Sequence, residues 1–139
     1  MLKRFIEWIG LKERLNKNNP KPPLVKERDI WWISFGENIG SEINGKSDLF
    51  SRPGIILKKL SHKFYLVIPT TSQERIGTWY TKIDHNQINT YACLHQIRTI
   101  DYRRLSNRIG QLDSNNFLKV KKGHNTQISG LDMTLLWLG

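Results

Sequence analysis

The apolar positions change period along the chain. Over residues 2–15, Leu2, Phe5, Ile6 and Ile9 recur three and four apart, and Lys3, Arg4, Glu7, Lys12, Glu13 and Arg14 fill much of the remaining surface. That is the pattern of a basic amphipathic helix, laid across the rest of the chain or a partner rather than on a membrane. NKNNPKPP follows, and its asparagines and prolines end the helix and mark a linker. The chain thus divides into an N-terminal helix with linker, residues 1–25, and a domain over residues 26–139. From Asp29 the runs DIWWISF, GIILKKL, KFYLVIPTT, TWYTKI and TYACLHQIRTI are short and rich in β-branched and aromatic residues, so each predicts a strand. The second and third are separated only by a polar turn around Ser61 and His62 and should form an antiparallel hairpin. Between the first and second lies GENIGSEINGKSDLFS; loops longer than about 12 residues are usually functional or mobile. Short strands with little helix between them predict a mainly β fold, a small barrel or sandwich, with Ile30, Ile56, Val67 and Ile83 as packing positions. Asp101 should cap a turn reaching Leu105. Asp113 or Ser114 should cap a short helix through Phe117, Leu118 and Val120 that Gly123 interrupts, and LDMTLLWLG forms a last short piece.

Charge changes the picture more than size does. At 139 residues the chain suits one hydrophobic core, and 22 lysines and arginines against 12 acidic residues leave a net charge of +10. A surplus that large favours polyanionic partners, nucleic acid first. No run approaches the roughly 18 apolar residues that span a bilayer, so no integral membrane association is expected. Cys93 is a lone cysteine and MLKRFIEWIGLKERL lacks the long apolar core of a signal peptide, which together point to a reducing, cytoplasmic setting. Four scattered histidines, His62, His85, His95 and His124, have no metal-ligand spacing. Neither a metal nor a cofactor is expected.

DIWWISF followed by GSE, then RPGIIL, IPTTSQ and CLHQIRTIDYRRL, form an ordered series of blocks over about residues 27–122. In that series the chain resembles the MazF/PemK (Kid) family of toxins from bacterial type II toxin–antitoxin pairs. The resemblance implies an SH3-like antiparallel barrel that dimerises and cuts single-stranded RNA, mRNA included, without metal, and that a cognate antitoxin inhibits. It places Arg52 at the family's catalytic arginine and Thr71 at its threonine or serine after the third strand. Glu42 matches the acidic residue of the GSE block, and Gln96 and Arg98 match the QIRTID block. Two departures stand out: KSDLFS, residues 46–51, intervenes between Gly45 and Arg52, and His95 stands where some family members carry an acidic residue.

RNA carries its own nucleophile, the 2′-hydroxyl, so cleavage needs only a proton acceptor, a donor to the 5′ leaving oxygen and groups that balance charge on phosphorus. Arg52 suits the last role, since a guanidinium offers five donors in a fixed fork; read from spacing alone it is more often a strand-edge arginine bound to a carboxylate, and the resemblance is what favours catalysis. The Thr71 hydroxyl can donate to a phosphoryl oxygen or serve a local turn. The His95 imidazole suits proton transfer near neutrality, or is a packed, satisfied histidine. Lys58, Arg98, Arg103 and Arg104, with Glu42 and Gln96, are the candidates for holding RNA, and Lys59, Lys63, Lys82 and Arg108 could extend the basic face or simply keep it soluble. Of Trp31, Trp32, Trp79 and Tyr80, one ring in each adjacent pair should face outward, where it could stack a base. The competing function is a nucleic-acid-binding barrel without catalysis.

Overall fold

A computed structural model of the protein describes residues 3–85 and 88–129. Leu2 and LDMTLLWLG, with Leu135, Leu136 and Trp137, lie outside the described residues, as does the side chain of His85. Helix α1 (Phe5–Lys17) is followed by strands β1 (Asp29–Ser34), β2 (Ser51–Ser61), β3 (Phe64–Thr71), β4 (Tyr80–His85), β5 (Ile88–Cys93), β6 (Arg98–Asp101) and β7 (Leu105–Gln111), then helix α2 (Ser114–Ser129). The strands run in the order β4-β5-β3-β2-β1-β7, all neighbours antiparallel, with β6 also on β3. The result is mainly β and barrel-like, although among the described residues no ladder closes the sheet between β7 and β4.

Period two explains why both faces are apolar. Trp31, Ile33, Ile56 and Val67 enter one cluster with Val25, Tyr65, Ile100 and Tyr102. Their neighbours Ile30, Ile55 and Ile68 enter a second with Ile83, Leu94, Phe117 and Val120 beneath α2. All four expected packing positions, Ile30, Ile56, Val67 and Ile83, are buried. Trp31 is buried and Trp32 is 41% exposed, the expected split. Asp29 is also buried, and its carboxylate is satisfied by the backbone N–H of Lys26, the Trp31 indole and Arg108.

Four expectations need correction. TYACLHQIRTI is not one strand: a 3₁₀ turn at Leu94–Gln96 breaks it into β5 and β6, so that Ala92 and Tyr91 pair with Thr70 and Thr71 while Arg98–Asp101 pair with Phe64–Val67. Alternation alone does not register such a break, because both halves lie on the same edge of β3. β7 had no strand signal, since LSNRIGQ is polar; it is held by pairing with β1. The helix capped by Asp113, which accepts from the Asn116 N–H at 2.8 Å, runs on through Gly123 to Ser129. A Cβ on Gly123 would stand 2.8 Å from Thr81 Oγ1 and 3.1 Å from a Leu94 methyl, so this glycine serves close helix–sheet approach rather than termination. Finally, α1 buries Trp8 and Leu11, while Phe5, Ile6 and Ile9 are exposed. The indole is the larger apolar group and finds a flat seat over Gly36. Asp101 caps its turn as expected, accepting from the Arg103 N–H at 2.9 Å.

Candidate active site

The β1–β2 loop is long but internally fixed. Asn38 donates from Nδ2 to the carbonyls of Phe35 and Ile43, and its N–H meets Asn44 Oδ1. Glu42 Oε1 accepts from the Ile39 N–H at 2.9 Å and so closes its own turn. The KSDLFS segment folds back on itself: Lys46 and Ser51 exchange backbone hydrogen bonds of 2.8 and 2.9 Å. Ser47 and Phe50 take positive φ to make that tab. The tab therefore keeps Gly45 against Phe50 and Ser51, next to Arg52.

Arg52 is the second residue of β2, half-buried, and anchored from two sides. Nε donates to the Asn44 carbonyl at 2.5 Å and Nη1 to the Thr70 carbonyl at 3.2 Å. The remaining three of its five donors have no partner among the described residues. Burial lowers its pKa from the ordinary arginine value, Cys93 opposing and Arg75 adding to the effect; a guanidinium still stays charged at neutral pH. Thr70 Oγ1 donates to the Pro53 carbonyl at 2.8 Å, tying the end of β3 to β2 beside Arg52. Thr71 is buried, and its Oγ1 accepts from the Gln73 N–H at 3.3 Å, which leaves its hydroxyl proton without an acceptor among the described residues.

The 3₁₀ turn after β5 presents His95 and Gln96 to the same place. His95 is exposed, its ring set against Tyr80 edge-on at 5.1 Å and against Trp79 at 5.9 Å. Gln96 spends both ends of its amide on the loop: Oε1 accepts from the Ile43 N–H at 3.2 Å and Nε2 donates to the Ser41 carbonyl at 3.0 Å. Arg52, Thr71, His95, Gln96 and Glu42 all line one open cavity of about 390 Å³. Sequence reasoning thus picked five residues that the fold brings together from four separate segments.

Arg98, Arg103, Arg104 and Lys58 do not line this cavity. Arg98 and Arg104 donate to the carbonyls of Phe35 and Ser34, at 3.4 and 2.9 Å, and hold the exit of β1. Burial, with the nearby charge of Arg98, brings the Arg104 pKa down to about 10 against the pull of Asp101. Arg103 pairs with Asp101 at 2.8 Å and donates to the Asn16 carbonyl near the end of α1. Lys58 is exposed on β2 opposite Leu66, and Arg108 pairs with Asp29. Residues the sequence did not single out complete the cavity, notably Lys46, Arg75 and Asn44, with Cys93. Arg75 lies in the β3–β4 segment just past the IPTTSQ block, where no periodic pattern marks it. Burial pushes the Cys93 thiol up to about 11, against Arg52 and Arg75, so it is neutral here.

Residues 26–126 match the family described as PemK-like, MazF-like toxin of type II toxin-antitoxin system. The chain belongs to that family. No protein of curated function matches the sequence significantly. Among solved structures, the fold is similar to MazF from Deinococcus radiodurans (TM-score 0.66, 14% identity, 77% of this chain and 98% of that one). It is also similar to an endoribonuclease in complex with its cognate antitoxin from a mycobacterial species (0.58, 12%, 78% and 97%). A third is the Mycobacterium tuberculosis toxin MazF-mt6 (0.55, 18%, 73% and 97%). At such identities the likeness is one of fold. The match to the PemK-like, MazF-like toxins begins at residue 26, so α1 lies before it, whereas the tab at 46–51 lies within it.

Proposed function

We propose that this PemK/MazF-family chain is a toxin endoribonuclease that cuts single-stranded RNA, mRNA among its targets, without metal and through attack by the substrate's own 2′-hydroxyl. The observation that carries the reading is Arg52: a half-buried, doubly anchored guanidinium with unspent donors, on a cavity it shares with Thr71 and His95. In that arrangement Arg52 balances charge on the phosphoryl oxygens, and the Thr71 hydroxyl donates a further hydrogen bond. His95 takes the 2′-hydroxyl proton, held by Trp79 and Tyr80, and these rings offer faces for a neighbouring base. As the 2′-oxygen bonds to phosphorus the P–O5′ bond breaks and the leaving 5′-oxygen takes a proton from water, so the products are a 2′,3′-cyclic phosphate and a 5′-hydroxyl end. Incubation of the pure protein with short single-stranded RNAs in EDTA tests this: 5′-hydroxyl fragments are expected. Tight RNA binding with no fragments from any sequence would instead establish a non-catalytic binding barrel.

The same reading makes the protein a homodimer held through the concave face beside the cavity. Trp32 (41% exposed) and Ile109 (37%) rim an apolar hollow of about 340 Å³ with Ile30, Pro53, Ile55 and Ile83. Its border includes Arg52 and Thr71, so a second copy seated there would wall the reaction site. Trp32→Glu places a carboxylate in that contact, and sedimentation at micromolar concentration is expected to shift from dimer to monomer mass. A wild-type protein that already sediments as a monomer defeats the claim. Cytoplasmic residence and a cognate antitoxin complete the proposal: a +10 chain attracts an acidic, initially disordered segment, which orders as it covers the cavity. An acidic antitoxin encoded beside this chain should suppress cleavage when mixed at equal concentration.

A further inference from the structure

Helix α1, which lies before the region matched to the family, and the tab at 46–51 pack on each other. Trp8, Leu11 and Phe50 form one buried cluster. The Trp8 and Phe50 rings lie 5.7 Å apart, and the Arg4 guanidinium sits 4.3 Å above the Phe50 ring. Trp8 also covers Gly36 so closely that a Cβ there would stand 2.4 Å from the indole. Before Trp8, the chain grips the rest of the loop. Lys3 donates to the carbonyls of Asn38 and Gly40 at 2.6 and 3.1 Å, the Arg4 N–H meets Glu37 at 2.9 Å, and Arg4 Nη1 meets the Ser47 carbonyl at 3.1 Å.

From the tab the contacts continue to the reaction site. Gly36 and Phe50 are joined by a backbone hydrogen bond of 3.1 Å, and Gly45 and Gly36 by one of 2.8 Å. Next to Gly45 is Asn44, whose carbonyl takes the Arg52 Nε. We propose that α1 is a positioning element of the reaction site, and that Trp8, through Phe50 and the Gly36–Gly45 neck, holds the Asn44 carbonyl that orients Arg52. Trp8 touches no reacting atom; it acts through Arg52. The donors of a guanidinium point in fixed directions, so an ångström of freedom at Asn44 translates into misdirected donors. The inference rests on the ribonuclease reading above.

The test compares wild type, Trp8→Ala, Trp8→Phe and Arg4→Ala in single-turnover cleavage of one short RNA, with RNA affinity and thermal unfolding measured separately. Trp8→Ala should cut on the order of tenfold or more slowly while RNA affinity is preserved, and Trp8→Phe should recover most of the rate. In an Arg52→Lys background, which lacks the fork to be oriented, Trp8→Ala should add no more than about twofold, because the two changes act on one interaction. Should Trp8→Ala not fold, Arg4→Ala carries the comparison, since it removes only the exposed grip on Phe50 and Ser47. A wild-type rate in Trp8→Ala, or an undiminished loss in the Arg52→Lys background, overturns the inference and leaves the ribonuclease reading standing. A wild-type protein that cuts no RNA removes that reading and this inference with it.

Discussion

Arg52→Ala is expected to fold and to bind RNA, yet to cut it at least a hundredfold more slowly than wild type, a loss on the order of 3 kcal/mol of transition-state stabilisation. The size follows from what the guanidinium faces. Negative charge grows on the phosphoryl oxygens only as the 2′-oxygen attacks, so a donor fixed beforehand favours the transition state over bound substrate. Arg52 is fixed in that sense by the Asn44 and Thr70 carbonyls, with three donors left over. Arg52→Lys keeps the charge but has no rigid fork, so most of the loss should persist. Folding should survive, because the side chain is only half-buried and belongs to none of the three buried apolar clusters. The measurement is single-turnover cleavage beside a melting curve and an RNA titration. A folded Arg52→Ala protein cutting within threefold of wild type would sink the assignment and move the search to Arg75 and Lys46 on the same cavity.

Folded protein with lost chemistry also separates the two ways a basic residue can serve RNA. Arg98, Arg103 and Arg104 stood as candidates for holding RNA, apart from Arg52, which the family blocks placed at the catalytic position. The fold sorts them by what their donors already hold. Arg98 and Arg104 spend a donor each on β1's last carbonyls and beyond, and Arg103 is locked to Asp101. They shape the loop's root. Gln96 does likewise from the cavity wall, clamping Ser41 and Ile43, which accounts physically for why that glutamine stands at a fixed distance from the loop.

Legibility in the sequence followed the same division. Strands whose two faces are both apolar, β1 to β3, were plain, because burial on either side leaves a dense run of β-formers. β7 was invisible because its side chains are mostly polar and nothing in its own pattern announces its pairing with β1. The break at Leu94–Gln96 was hidden by continued alternation, and it is the break that delivers His95 to the cavity. Arg52 and Thr71 were found through ordered blocks, a signal of ancestry. Nothing in local pattern could have found Arg75 or Lys46, which reach the cavity from irregular segments. Nor does helical periodicity rank Trp8 above Phe5 or Ile9; that choice is made by the flat, side-chain-free surface of Gly36.

The second large effect is expected from one methyl group. Gly45→Ala should cut RNA at least a hundredfold more slowly and unfold at lower temperature, although it touches neither substrate nor Arg52. A Cβ at Gly45 would fall 1.5 Å from the Phe50 carbonyl oxygen and 1.8 Å from its carbon. Both are backbone atoms, so no side-chain rotation relieves the overlap, and one strand of the loop's neck must move away from the other. The hydrogen bonds at that neck, Gly45 N–H to Gly36 and Lys46 with Ser51, are the ones that close the tab. Opening it draws Asn44 off Arg52 and releases Phe50 from beneath Trp8, so orientation of the guanidinium and burial of the small cluster fail together. Displacement by about an ångström is enough for a hundredfold loss in rate, whereas the β1–β3 core, which shares no residue with the neck cluster, should keep the domain folded. Far-ultraviolet circular dichroism with a native sheet signal, a lowered melting temperature and weak single-turnover cleavage is the expected combination. A Gly45→Ala protein as active and as stable as wild type would show that the neck does not hold Asn44 in solution, and would take away the physical reason for a glycine between the GSE block and Arg52.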